Sequence, residues 1–374
     1  MRLAVPKETF AGETRVAATP ESVKKFKALG LDVAVEAGAG AGAHIADADY
    51  QAAGATVAAG PVLADADIVL KVRGPSASEI PQLKKGAVVA ALLSPHSEQA
   101  AIAALGGRGV TAFAMEFLPR ISRAQAMDVL SSQANLAGYK AVIDAAAAFG
   151  RAMPMMMTAA GTIAPARVLV MGVGVAGLQA IATARRLGAI VSATDVRPAT
   201  KEQVESLGGT FVAVMDEEFK NAQTAGGYAK EMSAEYQAKQ AALVGETIKK
   251  QDIVITTALI PGRRAPILVS EEMIKTMKPG SVIVDLAAGA GGNTPLSRPD
   301  ETVKVHGVTI MGSTNLPGAL AADASSLYAR NLFNFISLLV DKKTGALNID
   351  WNDEIVAGSG LTKDGAVVHP SLKG

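Results

Sequence analysis

The chain has 374 residues, 49% of them apolar and 19% charged, with a formal net charge of +1. This length suits two α/β domains, the apolar content excludes a disordered chain, and the interspersed charges offer no polyanion-binding face, so nucleic acid is not an expected partner. Cysteine is absent, which removes disulfides, thiolate nucleophiles and cysteine metal sites, and His44, His96, His306 and His369 lack metal-ligand spacing, so no metal is expected.

No apolar run is long enough to cross a bilayer. Residues 1–8 read as a short strand followed by charge, not as a signal peptide. A soluble, cytoplasmic protein is expected, held at a membrane only if other chains hold it there.

Strands are predicted at 3–5, 32–35, 68–70, 87–92 and 110–114. Thr19 as N-cap and Pro20 at the first helical position start a helix that runs to Leu29 and stops at Gly30. A short helix is expected at 81–85, stopped by Gly86. This βα alternation predicts a mostly parallel sheet. Gly38-Ala39-Gly40-Ala41-Gly42 resembles a phosphate loop by its letters, but 43–47 reads as a loop and no acid ends a following strand. Residues 122–149 are rich in Ala, Gln, Met, Leu and Lys, with Gly138 the only breaker. They predict a long helix, beginning near 128–131, that links two domains.

The second domain opens with the most informative stretch of the chain. The apolar residues 168–171 run into Gly172-Val173-Gly174-Val175-Ala176-Gly177 and then into a helical pattern to Leu187. A second apolar run ends at Asp195, about 20 residues past the last glycine, the layout of a dinucleotide-binding unit. Gly172 permits the tight turn, Gly174 lets backbone approach a pyrophosphate, and Gly177 lets helix and strand pack closely. The helix N-terminus offers N–H groups and partial positive charge to phosphates. Asp195 would accept from both adenosine ribose hydroxyls and repel a 2′-phosphate, which favours NAD(H) over NADP(H). Arg197, two residues on, is a group that could also serve a 2′-phosphate.

Further strands are predicted at 211–214, 253–257 and 282–285, with 309–311 closing the sheet. The polar, Gly-containing stretch between Met215 and Lys250 is a candidate mobile loop. Residues 324–340 are apolar at helical spacing, and the tail from Leu347 reads as short strands returning to the first domain.

Three segments hold candidate chemistry. Residues 120–133 are unusually polar for their place between an apolar strand and an apolar helix. Arg120 and Asp128 could pair and shape a loop; Gln125 and Ser131 could hydrogen-bond a nicotinamide carboxamide and ribose; a solvated, capped helix start is the plainer alternative. The loop at 256–262 follows a strand of the dinucleotide domain, where ligands lie outside the C-terminal strand ends. Residues 285–293 either approach the ring end of a cofactor or form a Gly-rich turn.

These residues carry a resemblance. Val5-Pro6-Lys7-Glu8 and Glu13-Thr14-Arg15-Val16-Ala17-Ala18-Thr19-Pro20 resemble the opening shared by alanine dehydrogenases and the NAD(H)-binding component of proton-translocating NAD(P)+ transhydrogenases. Residues 120–139 look like the Arg–Gln–Asp loop of the transhydrogenase component, and 224–232 like its mobile loop. Residues 199–209 and 255–262 also match, so the resemblance covers essentially the whole chain.

The resemblance implies two Rossmann-like domains with mostly parallel sheets and a cleft between them: 1–130 plus 320–374, and 131–319. It implies NAD(H) on this chain and NADP(H) only on a partner subunit, with hydride passing directly between two nicotinamides and proton translocation by membrane-spanning subunits. It makes Gln125 the side chain nearest the ring, Arg120 and Asp128 the partners that hold the loop, and Ser131 the carboxamide's partner. Ile121, Ser122 and Arg123 lie in the same cofactor-binding segment. Val173, Gly174 and Val175 line the pyrophosphate, Asp195, Val196 and Arg197 meet the adenosine, Gly227 and Tyr228 close over the nucleotide, and Thr257 and Leu259 flank it. A homodimer, an NADP(H)-binding beta subunit and a peripheral place at the inner face of the cell membrane are also implied.

Alanine dehydrogenase chemistry is the alternative. It forms and hydrolyses an imine, which needs an acid–base group beside a carboxylate clamp. Arg15 and Lys71 sit where that clamp would lie, but Leu93 stands where the histidine is expected, with His96 out of register, and Gly289 stands where that family has an aspartate.

Overall fold

The computed structural model describes residues 1–222, 232–260, 262–341 and 343–373. Its internal contacts divide the chain into two units, Met1–Gln133 with Pro317–Gly374, and Ala134–Leu316. The division falls inside one continuous helix, Val129–Ala148.

The first unit is built on β1 (Arg2–Val5), β2 (Asp32–Glu36), β3 (Thr56–Ala58), β4 (Ile68–Arg73), β5 (Val88–Leu92) and β6 (Thr111–Ala114). They pair in the order β3-β2-β1-β4-β5-β6, all parallel. Because strand side chains alternate between faces, the apolar residues of β1 serve two cores. Leu3 and Val5 pack with Val23 and Phe26 of the helix Pro20–Ala28 and with Leu332 and Phe335 of the helix Ala321–Leu339. Ala4 faces the other side, where Val69, Val89 and Ala112 meet Ile102 and Leu105. Thr19 and Ser22 form a reciprocal capping box at the start of Pro20–Ala28, and Gly30, with φ of +81°, ends it.

After the first sheet in chain order, β7 (Met156–Thr158) and β8 (Gly161–Ile163) form an antiparallel hairpin. Its apolar residues point outward: Met157 is 77% exposed and Met155, just before it, 58%.

The second sheet comprises β9 (Arg167–Met171), β10 (Ile190–Thr194), β11 (Thr210–Phe211), β12 (Ile253–Thr256), β13 (Val282–Asp285), β14 (Thr302–Val305) and β15 (Val308–Met311). The order is β11-β10-β9-β12-β13-β15-β14, parallel except for β14. One face buries Val168, Val170, Ile253 and Val282 against Ala180, Ile181 and Ala184 of the helix Val175–Arg186 and against Ala141, Val142 and Ala145. The other buries Leu169, Val254 and Ile283 against Val244, Ile248 and Ile274.

The structure corrects several expectations. Residues 81–85 are not a helix; a 3-10 turn covers Ile80–Gln82. β3 and the helix Gln99–Gly107 add to the first unit. The strand expected at 211–214 is only β11, and β14 lies outside β15, so 309–311 does not close the sheet. The stretch expected as a long loop carries two helices, Glu217–Lys220 and Ala234–Ile248. The tail forms the helix Glu354–Ser359 as well as the two-residue strands Thr362–Lys363 and Ala366–Val367.

Candidate functional site

In the second unit β9 is flanked by β10 on one side and β12 on the other, so the chain changes direction around it. The crevice outside the C-terminal strand ends at such a switch point is where doubly wound sheets bind ligands. Gly172 occupies it with φ of +100°, a conformation costly for any residue with a Cβ. Gly174 is the N-cap of the helix Val175–Arg186. The first-turn N–H groups of that helix have no partner within it and face the same crevice end. A Cβ on Gly177 would sit 1.9 Å from the Gly172 carbonyl oxygen, so only glycine lets helix and turn meet. Across the crevice the Thr257 hydroxyl donates to the Gly172 carbonyl at 3.0 Å, joining the loop after β12 to the glycine turn. Leu259 and Val196 are exposed nearby in the chain, and Val173 is buried.

Asp195 follows β10, where a ribose-binding acid is expected. Its carboxylate is fully engaged within the unit. Oδ2 accepts from the Val173 amide at 2.7 Å and from Arg197 Nη2 at 2.8 Å; Oδ1 accepts from the Arg197 amide and Arg197 Nε, each at 2.9 Å. These bonds hold the Arg197 proton more tightly than in a free guanidinium.

The segment 285–293 turns inward. Asp285 accepts from the Thr256 hydroxyl, the Ala287 amide and the Asn293 amide. Fully buried Asn293 then uses its whole side chain on the loop after β12: Oδ1 accepts from the Ala258 amide at 3.1 Å, and Nδ2 donates to the carbonyls of Ala258 at 2.9 Å and Pro266 at 2.8 Å. The segment therefore acts as a brace for the loop carrying Thr257 and Leu259. Sequence reasoning noticed its glycines and missed Asn293, whose partners are all distant in the chain.

In the first unit, residues Ser122–Met127 form a 3-10 turn with Gln125 exposed on it. Asp128 caps the following helix, accepting from the Ser131 amide at 2.9 Å and the Ser131 hydroxyl at 2.5 Å. Arg123 forks onto Asp353 with distances of 2.5 and 2.7 Å, tying the turn to the helix Glu354–Ser359. Arg120, Ile121 and Ser122 precede or open the turn, and Arg120 and Ser122 are exposed. Gly227 and Tyr228 lie outside the described residues, as do the rest of 223–231 and Pro261.

The basic residues of the expected carboxylate clamp are engaged by the chain's own acids. Arg15 pairs with Glu13 at 2.7 Å and donates to Gln133 at 2.9 Å; Lys71 pairs with Glu79 at 2.9 Å and lies 3.7 Å from Glu8. Burial alone would raise the Glu13 and Glu79 carboxyls, but the bonds from Arg15 and Lys71 hold both below the usual range. Glu8 has no such direct bond, and burial pushes it up to about 7 against the pull of Lys71. Leu93 is buried at the end of the first sheet, and His96 is exposed with its ring 5.4 Å from that of Phe117. The Gly38 amide donates to Asp47 at 2.9 Å, so the other glycine run closes on an internal carboxylate.

Residues 4–137 match the family model described as alanine dehydrogenase/PNT, N-terminal domain, and residues 141–370 its C-terminal domain. The chain is 58% identical to an NAD(P) transhydrogenase subunit alpha chain of Rhodospirillum rubrum, covering 100% of this chain and 99% of that one. A solved transhydrogenase structure from Sinorhizobium meliloti superposes with a TM-score of 0.91 at 56% identity, covering 98% of this chain and 100% of that one. The alanine dehydrogenase of Mycobacterium tuberculosis is 32% identical over 91% of this chain and 88% of its own.

Proposed function

Because the chain belongs to the alanine dehydrogenase/PNT family, we propose that it is the NAD(H)-binding component of a proton-translocating NAD(P)+ transhydrogenase. A hydride leaves C4 of NADH and joins C4 of NADP+ held on a partner subunit, giving NAD+ and NADPH. No proton is exchanged at either carbon, so the chain needs no general acid, base or metal. Its work is to hold the ring in a reactive orientation and keep water away.

The observation that carries this reading over the dehydrogenase one is Leu93, a buried apolar side chain where proton-shuttling imidazole is expected. The full-length identity to a transhydrogenase subunit supports the same choice. The Gly172 turn and the helix N-terminus after it suit the pyrophosphate, Asp195, Val196 and Arg197 the adenosine, and Thr257 and Leu259 the flank of the nucleotide. Gln125 and Ser131 supply neutral hydrogen-bonding groups to the nicotinamide end, Arg120 and Asp128 hold their segment, and Gly227 and Tyr228 close over the nucleotide.

No helix among the described residues is long and apolar enough to cross a membrane. Proton movement therefore belongs to membrane-spanning subunits onto which this chain docks at the inner face of the cell membrane. The exposed methionines of the β7–β8 hairpin suit the burial that a homodimer requires.

The test mixes the purified chain with an NADP(H)-binding partner subunit and follows NADH-dependent reduction of an NADP analogue. Hydride exchange is expected, and Gln125→Asn slows it far more than it weakens NADH binding. Equal rates would remove Gln125 from the site. Robust alanine-dependent reduction of NAD+ by the chain alone would overturn the reading.

A further inference from the structure

A carboxylate has about four acceptor positions, two on each oxygen. In Asp195 all four are occupied, two by the backbone amides of Val173 and Arg197 and two by the Arg197 guanidinium. The backbone donors cannot leave without reshaping the glycine turn, since the Val173 amide lies between Gly172 and Gly174. The guanidinium can leave: the Arg197 side chain is 31% exposed, whereas that of Asp195 is 6% exposed. Its one further bond is from Nη2 to the Val173 carbonyl at 3.2 Å.

We infer that Arg197 is a competitor of the nucleotide, occupying on Asp195 the positions that the two adenosine ribose hydroxyls must take. The inference rests on the proposed NAD(H) site and deepens it. The ribose brings two O–H donors and the guanidinium presents two N–H donors to the same pair of oxygens. One set excludes the other, while the Val173 and Arg197 amides keep the carboxylate aimed in both states. Binding therefore includes the breaking of a forked ion pair, and the affinity of the site is set lower than its remaining contacts would give. A nucleotide that must be released after each hydride transfer benefits from such a counterweight, because lower affinity appears mainly as faster dissociation.

The experiment titrates NADH by calorimetry into the full chain, into Arg197→Ala and into Asp195→Ala, at low and high NaCl. A part-exposed ion pair lost on binding corresponds to a change of about two- to fivefold in Kd. Arg197→Ala is expected to bind NADH about that much tighter than wild type, with a slower off-rate. The gap should narrow as salt weakens the pair in the wild type. Asp195→Ala should bind more weakly, and Arg197→Ala should have no effect in the Asp195→Ala background. A purely supporting role for Arg197 would produce the opposite sign. Unchanged or weaker NADH binding by Arg197→Ala, with Asp195→Ala still impaired, would overturn this inference alone. No saturable NADH binding by the wild type would overturn the nucleotide reading and this inference with it.

Discussion

Replacing Gly138 by alanine should loosen the nucleotide site from a position with no polar group of its own. Gly138 lies in the helix Val129–Ala148, and a Cβ there would stand 2.1 Å from the Ala176 carbonyl oxygen, 2.8 Å from its carbonyl carbon and 3.0 Å from its Cα. All three are backbone atoms, so no side chain can rotate away. Restoring an ordinary 3.4 Å contact requires the helices to part by about 1.3 Å. Ala176 belongs to the first turn of the helix that offers its N–H groups to phosphate, between the turn's last two glycines. Overpacking of this kind costs about 1–3 kcal/mol, offset by up to about 1 kcal/mol from the better helix propensity of alanine. A net loss of about 1–2 kcal/mol lowers the melting temperature of a unit this size by about 3–8 °C. Thermal melts should show that drop, and calorimetric titration should show weaker NADH binding. A variant that melts at or above the wild-type temperature and binds NADH equally well would refute the close-approach reasoning.

Two other changes probe different parts of the chain. Asn293→Ala leaves the Ala258 amide and the Ala258 and Pro266 carbonyls without their partner, which should cost about 2–4 kcal/mol in urea unfolding and slow hydride exchange more than it weakens NADH binding. Glu8 is protonated more readily in the fold than in the unfolded chain, its carboxyl pushed up from 4.5 to about 7 by burial. Its contribution is therefore fully present below pH 4.5 and is lost as pH rises through 7. Urea unfolding from pH 5 to 8 should show that decline in the wild type and a flatter profile in Glu8→Gln; identical slopes would remove Glu8 as its source.

The legible parts of this chain were those whose cause is local. A strand, a glycine turn, a helix and an acid at the end of the next strand lie within 168–195, and each announces itself through neighbours in sequence. The Thr19–Pro20 helix start was legible for the same reason. Edge strands were not: β3 and β14 are three and four residues long, too short to show a period, and β14 is half-solvated. The helix Gln99–Gly107 hid in alanines and glycines with little contrast between its faces. Gly138 read as a breaker because sequence shows only a missing side chain, not the backbone that fills its place. Candidate residues could be named singly, but that Asp195 is fully occupied, or that Asn293 reaches back to Ala258 and Pro266, depends on contacts across long stretches of chain.

The first sheet runs in the same strand order around β1 as the second does around β9, so it too has a crevice, between β1 and β4. There the residues after the leading strand include Glu8, which accepts from the Val72 and Arg73 amides at the end of β4, with Glu13 and Glu79 close to the same basic residues. An incoming diphosphate would meet negative charge and amides already spoken for. A repeated architecture thus does not imply a repeated ligand: one half of the molecule is shaped to receive anions, and its architectural double comes with its own anions already installed.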